Sequence, residues 1–267
     1  MPTARNGTAA IHYESTGAGA PVLLVMGLGM SATGWWRTVP VLASAGLRVI
    51  TFDNRGVGRS ARPPGPYTTA MLADDSVAVL DAASLERAHV YGISLGGMIA
   101  QEIALRHPRR VARLVLGATT PGGRGAIAPD DTTLAFFHRR GQMPAHEAVW
   151  ASVPYNYSAR TRGEHGDRIA QDISQRLRYP IGPEFYTAQL TAAVAHDAGD
   201  RLGAIRAPTL VVHGLEDVMV PPANGRLLAG RIPGARLLEL SGAAHLYPTD
   251  EPSADHEIAD FLATSAG

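Results

Sequence analysis

Residues 91–98 read YGISLGGM, with Ser94 set between Gly92 and Gly96. Just upstream, residues 87–91 (RAHVY) have the alternating, branched character of a short strand, and downstream residues 98–106 (MIAQEIALR) space their apolar side chains at helical intervals. Ser94 is therefore expected on a strand-to-helix turn. On such a turn G-x-S-x-G is the pattern of a nucleophile elbow, a bend so tight that only glycine fits beside the backbone of the central residue. The hydroxyl is then exposed at the end of a sheet. A glycine-rich turn with an incidental serine has the same five letters, so the surrounding chain decides between the two.

Outward from the turn, a hairpin-like start at 9–15 (AAIHYES) is followed by apolar runs at 22–26 (VLLVM), 48–52 (RVITF), 88–92 (AHVYG), 113–117 (RLVLG), 209–213 (TLVVH) and 236–240 (RLLEL). Helix-length amphipathic segments such as 68–84 and 223–232 lie between most of them. Continuous apolar strands alternating with helices predict an α/β fold, a mostly parallel sheet with helices on both faces. In such sheets ligands bind beyond the carboxyl ends of the strands, which is where Ser94 falls. The interval 121–207 breaks the rhythm: it offers no strand, but helices around 130–140, 166–178 and 183–196, with Ile169, Ile173 and Leu177 spaced to line one face. The expectation is a core of residues 1–120 and 208–267 carrying a helical cap at 121–207, a lid that excludes water and shapes a pocket.

A chain of 267 residues with 45% apolar side chains is long enough for this arrangement. Cationic and acidic residues balance at 24 each, so no nucleic acid or other polyanionic partner is indicated. The absence of cysteine excludes disulfides and thiolate chemistry. The first residues (MPTARNGTAAIHYES) hold no apolar stretch of signal-peptide length, and no run approaches the roughly 18 apolar residues of a membrane span. A soluble, cytoplasmic protein acting on a small molecule is expected, with its oligomeric state left open. None of the ten histidines forms an HExxH or comparable ligand set, and the glycines of GLGMS and GVGRS do not complete a GxGxxG before a helix. Neither metal nor other cofactor is expected.

A serine hydroxyl is a weak nucleophile at neutral pH and needs a base within hydrogen-bond reach, itself oriented by a carboxylate. Both come late in the chain: Asp217 in GLEDVMVP after the run TLVVH, and His245 in SGAAHLYP after RLLEL. Each follows the carboxyl end of an expected strand, the same edge as Ser94.

With GISLG at the turn, VMGLGM after an early strand, FDNRGVGRS after the next, HGLEDVMVP before the acid and AAHLYP at the histidine, the sequence resembles the α/β-hydrolase superfamily over nearly its whole length. The resemblance implies that Ser94 is the nucleophile, His245 the general base and then acid, and Asp217 the group that fixes the imidazole tautomer. It places the oxyanion hole at the backbone N–H groups of Leu28 and Leu95. Two positions depart from the family pattern: Met26-Gly27 stands where many relatives have His-Gly, removing an imidazole that helps brace the loop, and Ala244 stands where a glycine often precedes the histidine. The Met-Gly pair with Trp35 and Trp36 is locally similar to hydrolases acting on methyl esters of aromatic polyketides.

Asp53 and Arg55 are read as parts of a turn, and His213 as a brace of the sheet edge. The function expected is a cofactor-independent serine hydrolase cleaving a carboxylic ester or lactone of a largely apolar substrate through an acyl-enzyme. A serine at the elbow argues against haloalkane dehalogenases and epoxide hydrolases, which resemble this fold but use an aspartate there. Carbon–carbon hydrolysis, perhydrolysis or acyl elimination on the same residues, and a non-catalytic ligand receptor, are the alternatives. The expected substrate contacts are Met30, Trp35, Phe136, Trp150, Tyr155, Tyr157 and Met219, with Phe137 beside them.

Overall fold

The computed structural model describes residues 2–263. Eight strands form one sheet: β1 (Thr3–Asn6), β2 (Ala9–Thr16), β3 (Ala20–Val25), β4 (Leu47–Phe52), β5 (Ala88–Ile93), β6 (Val111–Gly117), β7 (Thr209–Gly214) and β8 (Arg236–Leu240). Their order is β1-β2-β4-β3-β5-β6-β7-β8. The pairings of β1 with β2 and β2 with β4 are antiparallel, and the others are parallel.

The helices α1 (Thr38–Ser44), α2 (Thr69–Ala82) and α3 (Leu95–Arg106) come between strands in the first half of the chain. Between β6 and β7 run α4 (Asp131–Arg140), α5 (Ala145–Ala151), α6 (Val153–Asn156), α7 (Ala159–Glu164), α8 (Gly166–Arg176) and α9 (Pro183–Val194). The chain closes with α10 (Ala223–Arg231), α11 (Tyr247–Asp250) and α12 (Ser253–Ala263). Among the described residues no helix is long and apolar enough to cross a membrane.

Alternation along the strands builds two apolar layers, because successive side chains point to opposite faces. Leu23, Val25, Ile50, Phe52, Val90 and Leu116 join one layer with Leu72 and Val79 of α2 and Ile99 and Ile103 of α3. Val22, Leu24, Val49, Tyr91, Val115 and Val212 join the other, with Leu42 of α1 and Ile258 and Leu262 of α12. Both faces being covered, the central strands read as unbroken apolar runs.

The sheet also fixes where a site can form. β3 lies between β4 and β5, so the chain leaves β3 toward one side and later returns on the other, which opens a crevice beyond the carboxyl ends of β3 and β5. The helices α4–α9 are bonded to the residues around that crevice. The Asp172 carboxylate of α8 accepts from Trp36 Nε1 at 3.0 Å, Arg37 Nε at 3.1 Å, the Tyr157 hydroxyl at 3.2 Å and the Thr249 hydroxyl. Ile169 and Ile173 are buried against Val149 and Tyr157, with Leu177 packed alongside. Gln189 of α9, fully buried, accepts from the Gly29 N–H and donates to the Arg55 carbonyl, both at 2.9 Å.

Candidate active site

Ser94 connects β5 to α3 with φ 58° and ψ −123°. A non-glycine residue held there carries backbone strain of about 1–3 kcal/mol, which persists only where the surroundings enforce it. They do so on three sides. A Cβ on Gly92 would strike the Gly96 carbonyl, one on Gly96 would strike the Val25 carbonyl, and one on Gly97 would strike the Thr119 side chain. The Ser94 N–H donates to the Gly117 carbonyl at 2.9 Å, and its own carbonyl accepts from the Thr119 hydroxyl at 2.7 Å. The glycines thus let β5, α3 and the end of β3 approach closely enough to hold the serine at the crevice.

Asp217 lies in the turn after β7 and is buried. Its Oδ1 accepts the N–H groups of Met219 and Val220, both at 2.9 Å, and its Oδ2 meets His245 Nδ1 at 2.8 Å. Burial alone would push its pKa up; the hydrogen bonds of His245 and His213, and the positive charge each ring carries when protonated, outweigh it and hold the carboxyl at about 2. An ionised carboxylate only accepts, so Nδ1 carries a proton and, in the neutral ring, Nε2 of His245 keeps a free lone pair. The loop bearing His245 presses on the end of β7, where a Cβ on Gly214 would strike the Ala243 and Ala244 carbonyls. Asp250 holds that loop, accepting the Ala244 N–H at 2.7 Å and the Ser158 N–H at 3.0 Å. His213 stands against the acid rather than merely at the sheet edge: its Nε2 donates to the Val220 carbonyl at 2.8 Å and lies 3.4 Å from Asp217 Oδ2.

Ser94 and His245 line one cavity, together with Gly27, Leu28 and Met30. Among the described residues no hydrogen bond joins the two, a separation common before substrate is bound. Two N–H groups are free to serve a ligand atom there. Leu95 opens α3, so its N–H has no acceptor within the helix. Leu28, in the loop after β3, donates to no group among the described residues. Gly27 lets this loop touch the serine, since a Cβ there would stand 3.1 Å from Ser94 Cβ. The loop is braced by groups other than the imidazole that Met26 replaces: Asn54 Nδ2 donates to the Met26 carbonyl at 3.0 Å, and Gln189 takes the Gly29 N–H.

The expected substrate contacts divide. Met30 and Met219 line the cavity of Ser94 and His245. Trp35 lines the adjoining cavity, which shares Met26, Met30 and Ile93 with it. The structure does not bring Phe136, Trp150, Tyr155 or Tyr157 there. Phe136 is fully buried and stacked on Tyr155 with ring centroids 4.1 Å apart. Tyr157 is buried among Val149, Ile169 and Ile173, and Trp150 is 49% exposed with its indole N–H on His146. The aromatic residue that reaches the site from α4 is Phe137, next in sequence to Phe136. It lines the cavity of Ser94 and His245 and a second, apolar one that Ser94 also borders, with Leu95, Met98, Leu190 and Val220. Sequence spacing alone could not tell which of the two phenylalanines faces the cavity.

Asp53 and Arg55 serve the turn after β4. Asp53 accepts the N–H groups of Ala32 at 2.7 Å and Arg59 at 2.9 Å, and Arg55 grips Asp75 with both arms of its guanidinium. Among the described residues no three His, Asp or Glu are grouped to hold a metal ion.

A family model for the alpha/beta hydrolase fold matches residues 20–252. Among curated relatives, one named "Putative carbamate hydrolase RutD", from Azorhizobium caulinodans, is 34% identical over 262 residues, covering 97% of this chain and 96% of its own. Two solved structures are similar over almost the whole chain. The enol-lactonase from Burkholderia xenovorans LB400 superposes with a TM-score of 0.87 at 28% identity, covering 98% of this chain and 100% of that one. Est816, described as an N-acyl homoserine lactone degrading enzyme, superposes with a TM-score of 0.81 at 32% identity, again over 98% and 100%.

Proposed function

The chain belongs to the α/β-hydrolase family, and on that premise we propose that it is a cofactor-independent serine hydrolase cleaving a carboxylic ester or lactone through an acyl-enzyme. The observation that carries this reading is the buried 2.8 Å contact between Asp217 Oδ2 and Nδ1 of His245, a histidine that shares a cavity with Ser94. Lactone cleavage is consistent with the two lactone-cleaving structural relatives.

In this mechanism Ser94 Oγ attacks the substrate carbonyl as His245 Nε2 takes its proton, and Asp217 stabilises the imidazolium without itself being protonated. The negative charge arising on the carbonyl oxygen is met by the N–H groups of Leu28 and Leu95, already oriented by the elbow and the braced loop. Collapse of the tetrahedral intermediate breaks the carbon–oxygen bond, and His245 returns its proton to the leaving alkoxide. A water then attacks the acyl-serine with Nε2 as base, releasing the acid and restoring the hydroxyl. For a lactone the alcohol and acid leave as one molecule. The helices of 121–207 act as a lid over a core of 1–120 and 208–267, excluding water and offering Phe137 to the substrate.

The test is a panel of esters, thioesters and lactones assayed with wild type and Ser94→Ala. Ester or lactone turnover that falls by about 10⁶-fold in the variant is expected. Turnover that survives Ser94→Ala, or a wild type that binds such compounds without cleaving any, would overturn the reading.

A further inference from the structure

The cavity of Ser94 and His245 contains two cationic side chains that the mechanism above does not use. Arg140 ends α4 and Arg176 ends α8, and both line that cavity and the space behind it, toward Tyr186. Both are more than nine-tenths buried, at 8% and 7% exposure. A guanidinium in such a place normally faces a carboxylate, because an unpaired buried charge is costly. The chain follows that rule at its other buried arginine among the described residues, Arg55, which is paired with Asp75.

Arg140 and Arg176 have no ion pair among the described residues. Arg176 Nη2 donates to the Ser152 hydroxyl at 3.1 Å, while its Nη1 is buried without a hydrogen-bond partner. Arg140 rests over the Tyr186 ring, 5.1 Å from its centroid. The nearby carboxylate, Asp172, is already taken by four donors, among them Arg37. Burial, and secondarily the like charge of Arg176, pulls Arg140 down to about 10 against the favourable influence of Tyr186. Arg140 also reaches the oxyanion loop: a Cβ on Gly29, the residue after Leu28, would stand 3.7 Å from its Nη2.

We propose that Arg140 and Arg176 form a carboxylate-binding subsite beside Ser94, so that the ester or lactone cleaved at this serine carries a free carboxylate a short distance from the scissile carbonyl. The proposal rests on the hydrolase reading for its reaction, but the subsite itself needs only the cavity. Guanidinium groups present paired N–H donors that match the two oxygens of a carboxylate. One such anion would supply the missing acceptor of Arg176 and relieve the repulsion between the two cations. The apolar cavity on the other side of Ser94, toward Met98 and Val220, would receive the uncharged part of the molecule. Substrate recognition would then be polar on one flank of the serine and apolar on the other.

The experiment has a kinetic and a binding arm. In the first, kcat/KM is compared between length-matched esters that end in a carboxylate or in a methyl group, with the charge placed on the acyl side in one pair (mono-4-nitrophenyl adipate and 4-nitrophenyl heptanoate) and on the alcohol side in another. The wild type is expected to prefer the carboxylate in one of the pairs. Arg140→Gln and Arg176→Gln are expected to lower that preference by about 10- to 100-fold each, the worth of a charge-assisted hydrogen bond. In the second arm, adipate binding is measured calorimetrically on wild type, both variants and Ser94→Ala. Adipate is expected to bind wild type and Ser94→Ala alike and to bind the arginine variants at least about tenfold more weakly. Arg140→Met keeps the proposal separable from a structural role: a merely structural arginine would lower the melting temperature when replaced, whereas relief of an unpaired buried charge should leave it equal or raised. Ester turnover with no preference for the carboxylate, or adipate affinity equal in wild type and the arginine variants, would overturn the subsite. Adipate binding that depends on the arginines in a protein without esterase activity would uphold the subsite and refute the hydrolase reading instead.

Discussion

Asp217→Asn isolates what the carboxylate does for His245, because the change is isosteric and the surroundings dictate how the amide must lie. Oδ1 accepts two backbone N–H groups, from Met219 and Val220. The amide oxygen has to remain there, since turning the NH2 group inward would set it against two donors. The NH2 then faces His245 Nδ1, which must become an acceptor, and the ring proton moves to Nε2. In the proposed mechanism that is the atom that takes the proton of Ser94. A ring locked in the wrong tautomer lowers kcat by about 10⁴-fold, or roughly 5.5 kcal/mol in the barrier.

Stability changes far less. A carboxyl held at about 2 when folded, against 3.8, contributes on the order of 2 kcal/mol. Its folded value is depressed, so this contribution is present above about pH 3.8 and is lost as the pH falls through 2. Its loss in the variant should lower the melting temperature at neutral pH by about 4–8 °C, while the variant remains folded at assay temperature. The assay is kcat on the best ester of the panel at saturation, with circular dichroism to confirm the fold. A folded Asp217→Asn within about tenfold of wild-type kcat would refute the tautomer argument.

Neighbouring phenylalanines should behave oppositely. Phe136→Ala, which empties a buried stack on Tyr155, is expected to cost about 3–5 kcal/mol in denaturant unfolding while leaving relative kcat/KM across a graded ester series unchanged. Phe137→Ala should reorder that series by about 10- to 200-fold, and parallel profiles for wild type and Phe137→Ala would contradict its placement at the substrate. Asp255, buried and bonded to the Thr38 hydroxyl, is pushed up to about 7 by burial, so the folded state binds its proton more tightly than the unfolded chain. Its stabilising contribution is complete below about pH 3.8 and is lost as the pH rises through 7, a change on the order of 4 kcal/mol. Asp255→Asn should therefore gain stability relative to wild type between pH 5 and pH 8, and a pH-independent difference between the two would refute this.

Much of this architecture is legible in the sequence because the strands are covered on both faces and so appear as apolar runs bounded by turns. The elbow is legible for a different reason: Gly92 and Gly96 are dictated by backbone approaches that no other residue permits. The helices α5, α6 and α7 leave a weaker trace, being four to seven residues long with too few turns to establish a period. The pair Asp217 and His245 can be located by position after their strands, since strand ends share one edge. Gln189, Asn54 and Thr119 brace the site through backbone groups distant in sequence, and no local pattern marks them. Arg140 and Arg176 are hidden likewise. Each ends an amphipathic helix, where a basic residue ordinarily suits the helix dipole, and only the packing of α4 and α8 turns them into the cavity.

The most direct test of the central claim is to quench the reaction of the enzyme with a slowly hydrolysed activated ester and weigh the intact protein and its peptides. A nitrophenol burst of one equivalent per active chain, matched by a single acyl adduct on the peptide containing Ser94 and absent from Ser94→Ala, is the result predicted. An adduct on any other residue, or steady turnover in which Ser94 is never acylated, would contradict it.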